Sequence, residues 1–182
     1  MNSDKKTNGR SPARKIALIG IMAAILECGK LALAFIPNVE VVSLFIALFS
    51  YIFGFSGFIS AIVFVCIEPL IWGFGTWFAS YLIYWPSLSL IFFFLGRLKI
   101  KNRFIVAGIA ALMTFFFGVL TSLVDIGLLS GFFDNFWQRF AVYYARGVVF
   151  YVVHIVSNSV IFLLLFDFLR LKLEKIKLRI FD

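Results

Sequence analysis

The sequence predicts an all-α integral membrane protein with six transmembrane helices and with both termini in the cytoplasm. Two observations lead to this prediction, and the first is composition. The 182 residues are 63% hydrophobic and only 14% charged, with a mean hydropathy of +1.03. A soluble core cannot bury so much apolar surface, whereas a bilayer accommodates it. Long apolar stretches recur along the chain, and a transmembrane helix needs roughly 20 such residues.

The second observation is the placement of the basic residues. Most of the 17 Lys and Arg residues fall in three clusters, at positions 5–15, 97–103 and 170–179. Basic loops stay in the cytoplasm, so all three clusters are expected on that side of the membrane. Four crossings between the first two clusters and two between the last two satisfy this condition. The net charge of +8 is therefore interpreted as an orientation signal, aided by anionic lipid, and no nucleic-acid partner is expected.

The elements follow in order along the chain. The predicted helices span residues 16–36, 41–53, 58–72, 76–95, 104–129 and 141–169. Helix 1 stops at Pro37, and the second and third helices are short for a full crossing. Residues 1–15 are expected to form a basic cytoplasmic N-terminus, and residues 170–182 a basic cytoplasmic tail. Residues 16–169 are expected to form one six-helix transmembrane domain, which leaves no room for a separate soluble domain.

A signal peptide is another interpretation of the first apolar stretch. A signal peptide would have a basic start, an apolar core and an A-x-A site, and Ala32-Leu33-Ala34 matches that site. The apolar stretch continues to Ile36, which favours a membrane span instead.

Both cysteines, Cys28 and Cys66, fall inside apolar spans, so we expect thiols rather than a disulfide or a metal pair. No metal or cofactor is expected.

Ionisable residues also occur inside the apolar spans. They are Glu27, Lys30, Glu68, Asp125 and Arg146. Charged groups at membrane depth are costly, so they normally pair with one another or line a wet cavity. Structural ion pairs are one interpretation. The bias of these residues toward the predicted outer halves of the helices favours the other, which is a cavity that opens outward.

Helices 4 and 6 carry the remaining candidate binding residues. Trp77, Tyr81 and Tyr84 share a helix face, and Trp85 lies about 12 Å deeper than Trp77. An interfacial aromatic belt, core packing and stacking on a flat ligand are all consistent with this run. On helix 6, His154 and Asn158 are four residues apart and therefore lie on one face.

Helix 1 carries a face of small residues, formed by Ala13, Ala17, Gly20 and Ala24. Small residues at such spacing let a second helix approach closely, either within the bundle or from a partner protein. No nucleotide-binding loop is present, so any ATP-driven step requires ATPases on other chains.

At this point the chain resembles the substrate-binding S components of energy-coupling factor (ECF) transporters. Three stretches carry the resemblance: Ile-Pro-Asn-Val-Glu-Val-Val at 36–42, Tyr84-Trp85-Pro86, and Arg146-Gly147 through His154-Ile-Val-Ser-Asn158. The resemblance implies a bacterial multi-pass plasma-membrane protein that captures a vitamin or related micronutrient, such as cobalamin, a pterin or a flavin. Its implied partners are a transmembrane coupling protein and two ATPase subunits.

The resemblance also implies which residues act. The substrate-binding set is Asn38, Glu40, Trp77, Tyr81, Tyr84, Trp85, Asp125, Arg146, His154 and Asn158. The family's Ala-x-x-x-Ala motif matches Ala13 and Ala17 literally, at the membrane edge. Gly20 and Ala24 are better placed, so Ala17, Gly20 and Ala24 are expected to dock the coupling protein. No catalytic residue is implied.

Two further function classes are compatible with the sequence. A stand-alone secondary transporter or small channel would use the buried ionisable residues for ion coupling. An intramembrane enzyme would need a nucleophile and a base, and Ser130 and His154 are the candidates that the sequence offers. Ser130 is expected in an external loop rather than at a buried helix start, so we do not expect this protein to be an enzyme.

Overall fold

The computed structural model describes residues 12–181, and all of its regular structure is helical. Six α-helices follow one another with short connections. They are α1 Pro12–Leu33, α2 Val42–Phe53, α3 Phe55–Trp72, α4 Thr76–Arg97, α5 Arg103–Ser130 and α6 Phe136–Phe181. No strand occurs within this described range. The predicted all-α fold with six helices is confirmed. Residues 1–11, which include Lys5, Lys6 and Arg10 of the first basic cluster, lie outside it.

Five of the six helices are long and apolar enough to cross a membrane. The exception is α2, whose 12 residues extend only about 18 Å, against a hydrocarbon core of roughly 30 Å. The outer surface of the bundle is also apolar, since side chains such as Phe74 (77% exposed) and Leu164 (71% exposed) point away from it. Such a surface is stable in lipid, so the chain is a multi-pass membrane protein.

Some helix ends differ from the predicted positions. The last helix begins at Phe136 and continues to Phe181, through the segment predicted as a separate tail. No Gly or Pro occurs after Gly147 to end it. Arg170 supports the continuation through hydrogen bonds to Asp167 at 3.1 Å and Glu174 at 3.0 Å, which are favourable spacings within a helix.

Successive helices run antiparallel, so their connections collect at two ends. At one end, which we call the basic end, Tyr51 donates to the Ile100 carbonyl at 3.1 Å. Lys15, Arg97 and Lys177 line one cavity of about 560 Å³ there. The described parts of all three basic clusters therefore lie at the same end, as the sequence predicted. We call the other end, with connections 34–41, 73–75 and 131–135, the opposite end.

The centre of the bundle is α2, the shortest helix. Ten of its 12 residues are buried, which explains why it is apolar on every face. A tight turn joins it to α3 at Gly54, whose φ of 64° lies in the region that favours glycine. At Gly57 the two helices approach so closely that an added Cβ would lie 2.3 Å from the Phe49 carbonyl carbon. The close approach at this turn therefore depends on glycine.

Candidate functional site

Three helices and one loop meet at a polar cluster, which we call the Glu40 cluster: Glu40, Ser43, Thr114, His154 and Asn158. Glu40 Oε1 accepts a hydrogen bond from Asn158 Nδ2 at 2.9 Å and lies 3.3 Å from His154 Nε2. Glu40 Oε2 accepts from the Ser43 backbone N–H at 2.7 Å. Asn158 Nδ2 also donates to Thr114 Oγ1 at 3.0 Å. The cluster joins connection 34–41 to α5 and α6.

The shortness of α2 explains how a loop residue reaches these helices. Because α2 does not span the membrane, connection 34–41 has to enter the bundle to reach Val42. It turns at Asn38, whose φ is 58°, and the Asn38 carbonyl accepts from Ser157 Oγ at 3.1 Å. Asn158 Nδ2 thereby bridges Glu40 and Thr114, which lies about 16 Å along α5 from its start. His154 and Asn158 reach the same carboxylate because they are one turn apart on α6.

The electrostatics of the Glu40 cluster favour an ionised carboxylate. Burial raises the pKa of Glu40, but hydrogen bonds from His154 and Ser43 outweigh it and hold the pKa below its ordinary value. Both carboxylate oxygens already have donors. Nearby, the buried Tyr84 hydroxyl points toward Ser43 and Thr114 without a hydrogen bond of standard geometry. The Glu40 cluster is therefore packed, and it holds the loop in place.

An aromatic wall separates the Glu40 cluster from α3. Ring centroids lie 5.1 Å apart for Trp77 and Tyr81, and 5.4 Å apart for Tyr81 and Trp85. Phe117 continues the wall, 4.6 Å from Tyr84 and 5.5 Å from His154. Trp85 is only 4% exposed and lies in the core. Phe117 could not be recognised from the sequence, since nothing distinguishes it there from the other 24 phenylalanines.

Beside this wall, near the opposite end, lies a cavity of about 380 Å³, which we call the Lys30 cavity. Its lining residues are Lys30, Ala34, Glu68, Trp72, Trp77 and Tyr81. The Lys30 ammonium donates to Glu68 Oε2. It also lies 5.3 Å from the ring centre of Trp72, 5.9 Å from Trp77 and 5.3 Å from Tyr81, within the range of cation–π attraction.

A second carboxylate adjoins the Lys30 cavity. Glu27 lies one turn before Lys30 on α1, and its carboxyl group is next to that of Glu68. Glu27 is 8% exposed and Glu68 is fully buried. Neither oxygen of Glu27, nor Oε1 of Glu68, has a hydrogen-bond partner. Buried carboxylate oxygens without donors are unusual and require an explanation.

Trp77 and Tyr81 were predicted as binding residues and do line the Lys30 cavity. Lys30 and Glu68 were singled out only as ionisable groups at depth, and Trp72 was not expected to bind substrate. Charged side chains inside apolar spans mark candidate functional positions, so Lys30 and Glu68 are recognisable from residue type. Their pairing depends on the packing of α1 against α3, and no spacing in the sequence predicts which helices pack together.

Asp125 and Arg146 lie in a third region. Asp125 accepts hydrogen bonds from the hydroxyls of Thr76 and Tyr143, the latter at 3.0 Å. Arg146 is exposed and lines a separate, open cavity of about 440 Å³ beside Gln138 and Tyr143. Nine of the ten predicted substrate-binding residues thus fall into the Glu40 cluster, the aromatic wall with the Lys30 cavity, and this third region. The tenth, Asn38, lies in connection 34–41, where its backbone carbonyl accepts from Ser157 Oγ.

The small-residue face of α1 points away from the bundle. Ala17, Gly20 and Ala24 are all exposed, and nothing lies within 4 Å of a Cβ added at Gly20. Glu27 follows Gly20 by two turns but is buried, because Met22, Ala23, Leu26 and Glu27 form the face of α1 that packs inward. The small face and the Lys30 cavity therefore use different sides of one helix.

The described residues do not form a metal site, and they do not form a Ser130–His154 catalytic pair. Among the described residues, no three His, Cys, Asp or Glu side chains are placed to hold a metal ion. Ser130 Oγ donates to the Ile126 carbonyl and accepts from Arg139 at 2.7 Å, whereas His154 faces Glu40. Ser130 and His154 therefore have different partners.

Comparisons with models of protein families, with curated proteins and with solved structures found no match to this chain.

Proposed function

We propose that this chain is the substrate-binding S component of an ECF-type transporter in a bacterial plasma membrane. It captures a vitamin or related micronutrient from outside, and a coupling protein with two ATPase subunits drives its uptake. The observation that carries this proposal is the division of α1 into two faces. One face contributes Lys30 to a ligand-sized cavity. The other presents the exposed residues Ala17, Gly20 and Ala24, with nothing within 4 Å of a Cβ added at Gly20.

The Lys30 cavity supports the capture of a small molecule. Binding sites in proteins are concave, largely apolar and furnished with a few fixed polar groups. Trp72, Trp77 and Tyr81 supply flat rings on which a ligand stacks, and Lys30 with Glu68 supplies charge. The Glu40 cluster supports the site from the other side of the aromatic wall, since it fixes α6 and the loop after α1.

The small face supports docking of a transmembrane partner. Helices in lipid associate through close packing rather than through the hydrophobic effect, so small residues mark contact faces. A stripe of Ala17, Gly20 and Ala24 that faced only lipid would gain nothing from its small size. The basic end, which the positive-inside rule assigns to the cytoplasm, then lies on the side where ATPase subunits operate.

The test is reconstitution of the chain into proteoliposomes, with and without a coupling protein and its two ATPases. Native mass spectrometry of the purified chain first identifies any ligand that co-purifies with it. We expect uptake of that ligand to require both the module and ATP. ATP-independent uptake driven by an ion gradient would instead support the alternative below.

The alternative is a stand-alone secondary transporter or small channel. One specific observation favours it, namely that the buried Glu27 and Glu68 lie beside the partly buried Lys30. Two carboxylates beside one ammonium leave a negative charge that a coupling ion or proton can neutralise. Ionisable groups inside membrane proteins often lie on such pathways. Dissipation of the ion gradient in the same proteoliposomes, with ATP maintained, distinguishes the two functions.

A further inference from the structure

The Lys30 cavity holds more acidic than basic groups. Glu27 and Glu68 contribute two buried carboxyl groups against the single ammonium of Lys30, and the side chains of Lys30 and Glu68 are 26% and 0% exposed. A buried charge is stable when it is paired and hydrogen-bonded. Lys30 satisfies one oxygen, Glu68 Oε2. Three carboxylate oxygens remain without a donor.

The aromatic lining of the cavity also favours a cation. The ring faces of Trp72, Trp77 and Tyr81 converge on one point, where the Lys30 ammonium now lies. The face of an aromatic ring is electron-rich and attracts cations. Of the residues that line the cavity, Lys30 is the single cation, and the remaining surface favours positive charge.

We propose that the substrate bound in the Lys30 cavity is a small, flat organic cation whose N–H groups donate to Glu68 Oε1 and to Glu27. This inference rests on the proposed function, because it names the substrate class of the same site. One added positive charge balances the second carboxyl group when it is ionised, and N–H donors satisfy the unpartnered oxygens. A ring in the cavity stacks on Trp72, Trp77 or Tyr81.

The experiment uses three probes of nearly equal size and shape: benzamidinium, benzamide and benzoate, with charges of +1, 0 and −1. Their binding to the purified chain in detergent is followed by tryptophan fluorescence, because Trp72 and Trp77 line the cavity. We expect benzamidinium to bind about tenfold or more tightly than benzamide, the ratio typical of one charge-assisted hydrogen bond. Benzoate is expected to bind most weakly.

Glu27→Gln is the variant that tests the assignment, since Glu27 has no hydrogen-bond partner and its amide is nearly isosteric. We expect the preference for benzamidinium over benzamide to disappear in this variant. The matched control is Glu174→Gln, which makes the same change on α6 near the basic end and should keep the preference. Thermal denaturation confirms that both variants fold.

Three results would overturn the proposal. Preferential binding of benzoate would assign recognition to Lys30, and the absence of binding by every probe would mean that the cavity is not a site for such molecules. A preference for benzamidinium over benzamide that persists in Glu27→Gln would mean that Glu27 and Glu68 share a proton and do not contact the ligand. If Glu27→Gln fails to fold, the relative affinities of the three probes for the unaltered chain still test the proposal. None of these measurements involves a coupling protein or ATP, so the inference and the proposed function fail separately.

Discussion

Asn158 Nδ2 donates a 2.9 Å hydrogen bond to Glu40 Oε1 and so joins the loop after the first helix to the last helix. The two residues are 118 positions apart. The same carboxylate faces His154, one turn before Asn158. The Glu40 carboxylate therefore helps to hold loop 34–41 inside the bundle.

Glu40→Gln should make the stability of the bundle less sensitive to acid. The folded pKa of Glu40 is lowered, so its stabilising contribution is present above the unfolded pKa of about 4.3. That contribution is lost as the pH falls through the folded value. Thermal melting in detergent between neutral and acidic pH measures the difference. An acid-induced decrease in Tm of equal size in both proteins would mean that Glu40 is not the responsible group.

The Lys30–Glu68 pair should show strong coupling in a double-mutant cycle. Lys30→Met leaves Glu68 buried beside Glu27 without its cation, and breaking such a pair typically costs about 3–5 kcal/mol. Lys30→Met combined with Glu68→Leu removes both charges and should regain much of that loss. Unfolding free energies in one detergent give the coupling energy. Additive losses would show that the two side chains do not interact.

Gly20→Trp should preserve folding and ligand binding but prevent assembly with a coupling protein. An added Cβ at Gly20 meets nothing within 4 Å, so the indole extends outward and blocks a partner helix. Leu164→Trp is the matched control, because Leu164 is 71% exposed but lies on α6, away from the small face. Co-purification and ligand titration are measured together. Intact assembly by Gly20→Trp would exclude this face as the contact.

The basic end should be cytoplasmic. In a Cys28→Ser/Cys66→Ser background, a cysteine at Lys101 should resist a membrane-impermeant thiol reagent in intact cells. A cysteine at Phe133, which is 76% exposed at the opposite end, should react. The prediction follows from the retention of basic loops in the cytoplasm. The reverse labelling pattern would invert the topology and place the Lys30 cavity on the inner side.

The candidate site was partly predictable. Ionisable residues are so costly in lipid that Glu27, Lys30 and Glu68 were recognisable as important from residue type alone. Their arrangement was not, because Lys30 and Glu68 lie 38 positions apart and meet only through the packing of α1 on α3. Arg146 illustrates the converse. It has the same residue-type signal, but the structure places it in an exposed region away from the Lys30 cavity.

The amino-acid sequence is enough to predict the all-α membrane fold and the position of the basic residues at one end. Both follow from local properties, since each span must be apolar and must satisfy its backbone hydrogen bonds internally. Tertiary structure alone decided that the short α2 occupies the centre, that loop 34–41 enters the bundle, and that Glu27 faces inward while Gly20 faces outward. These features depend on side chains from different helices meeting at particular depths, and a one-dimensional pattern does not encode which helices become neighbours.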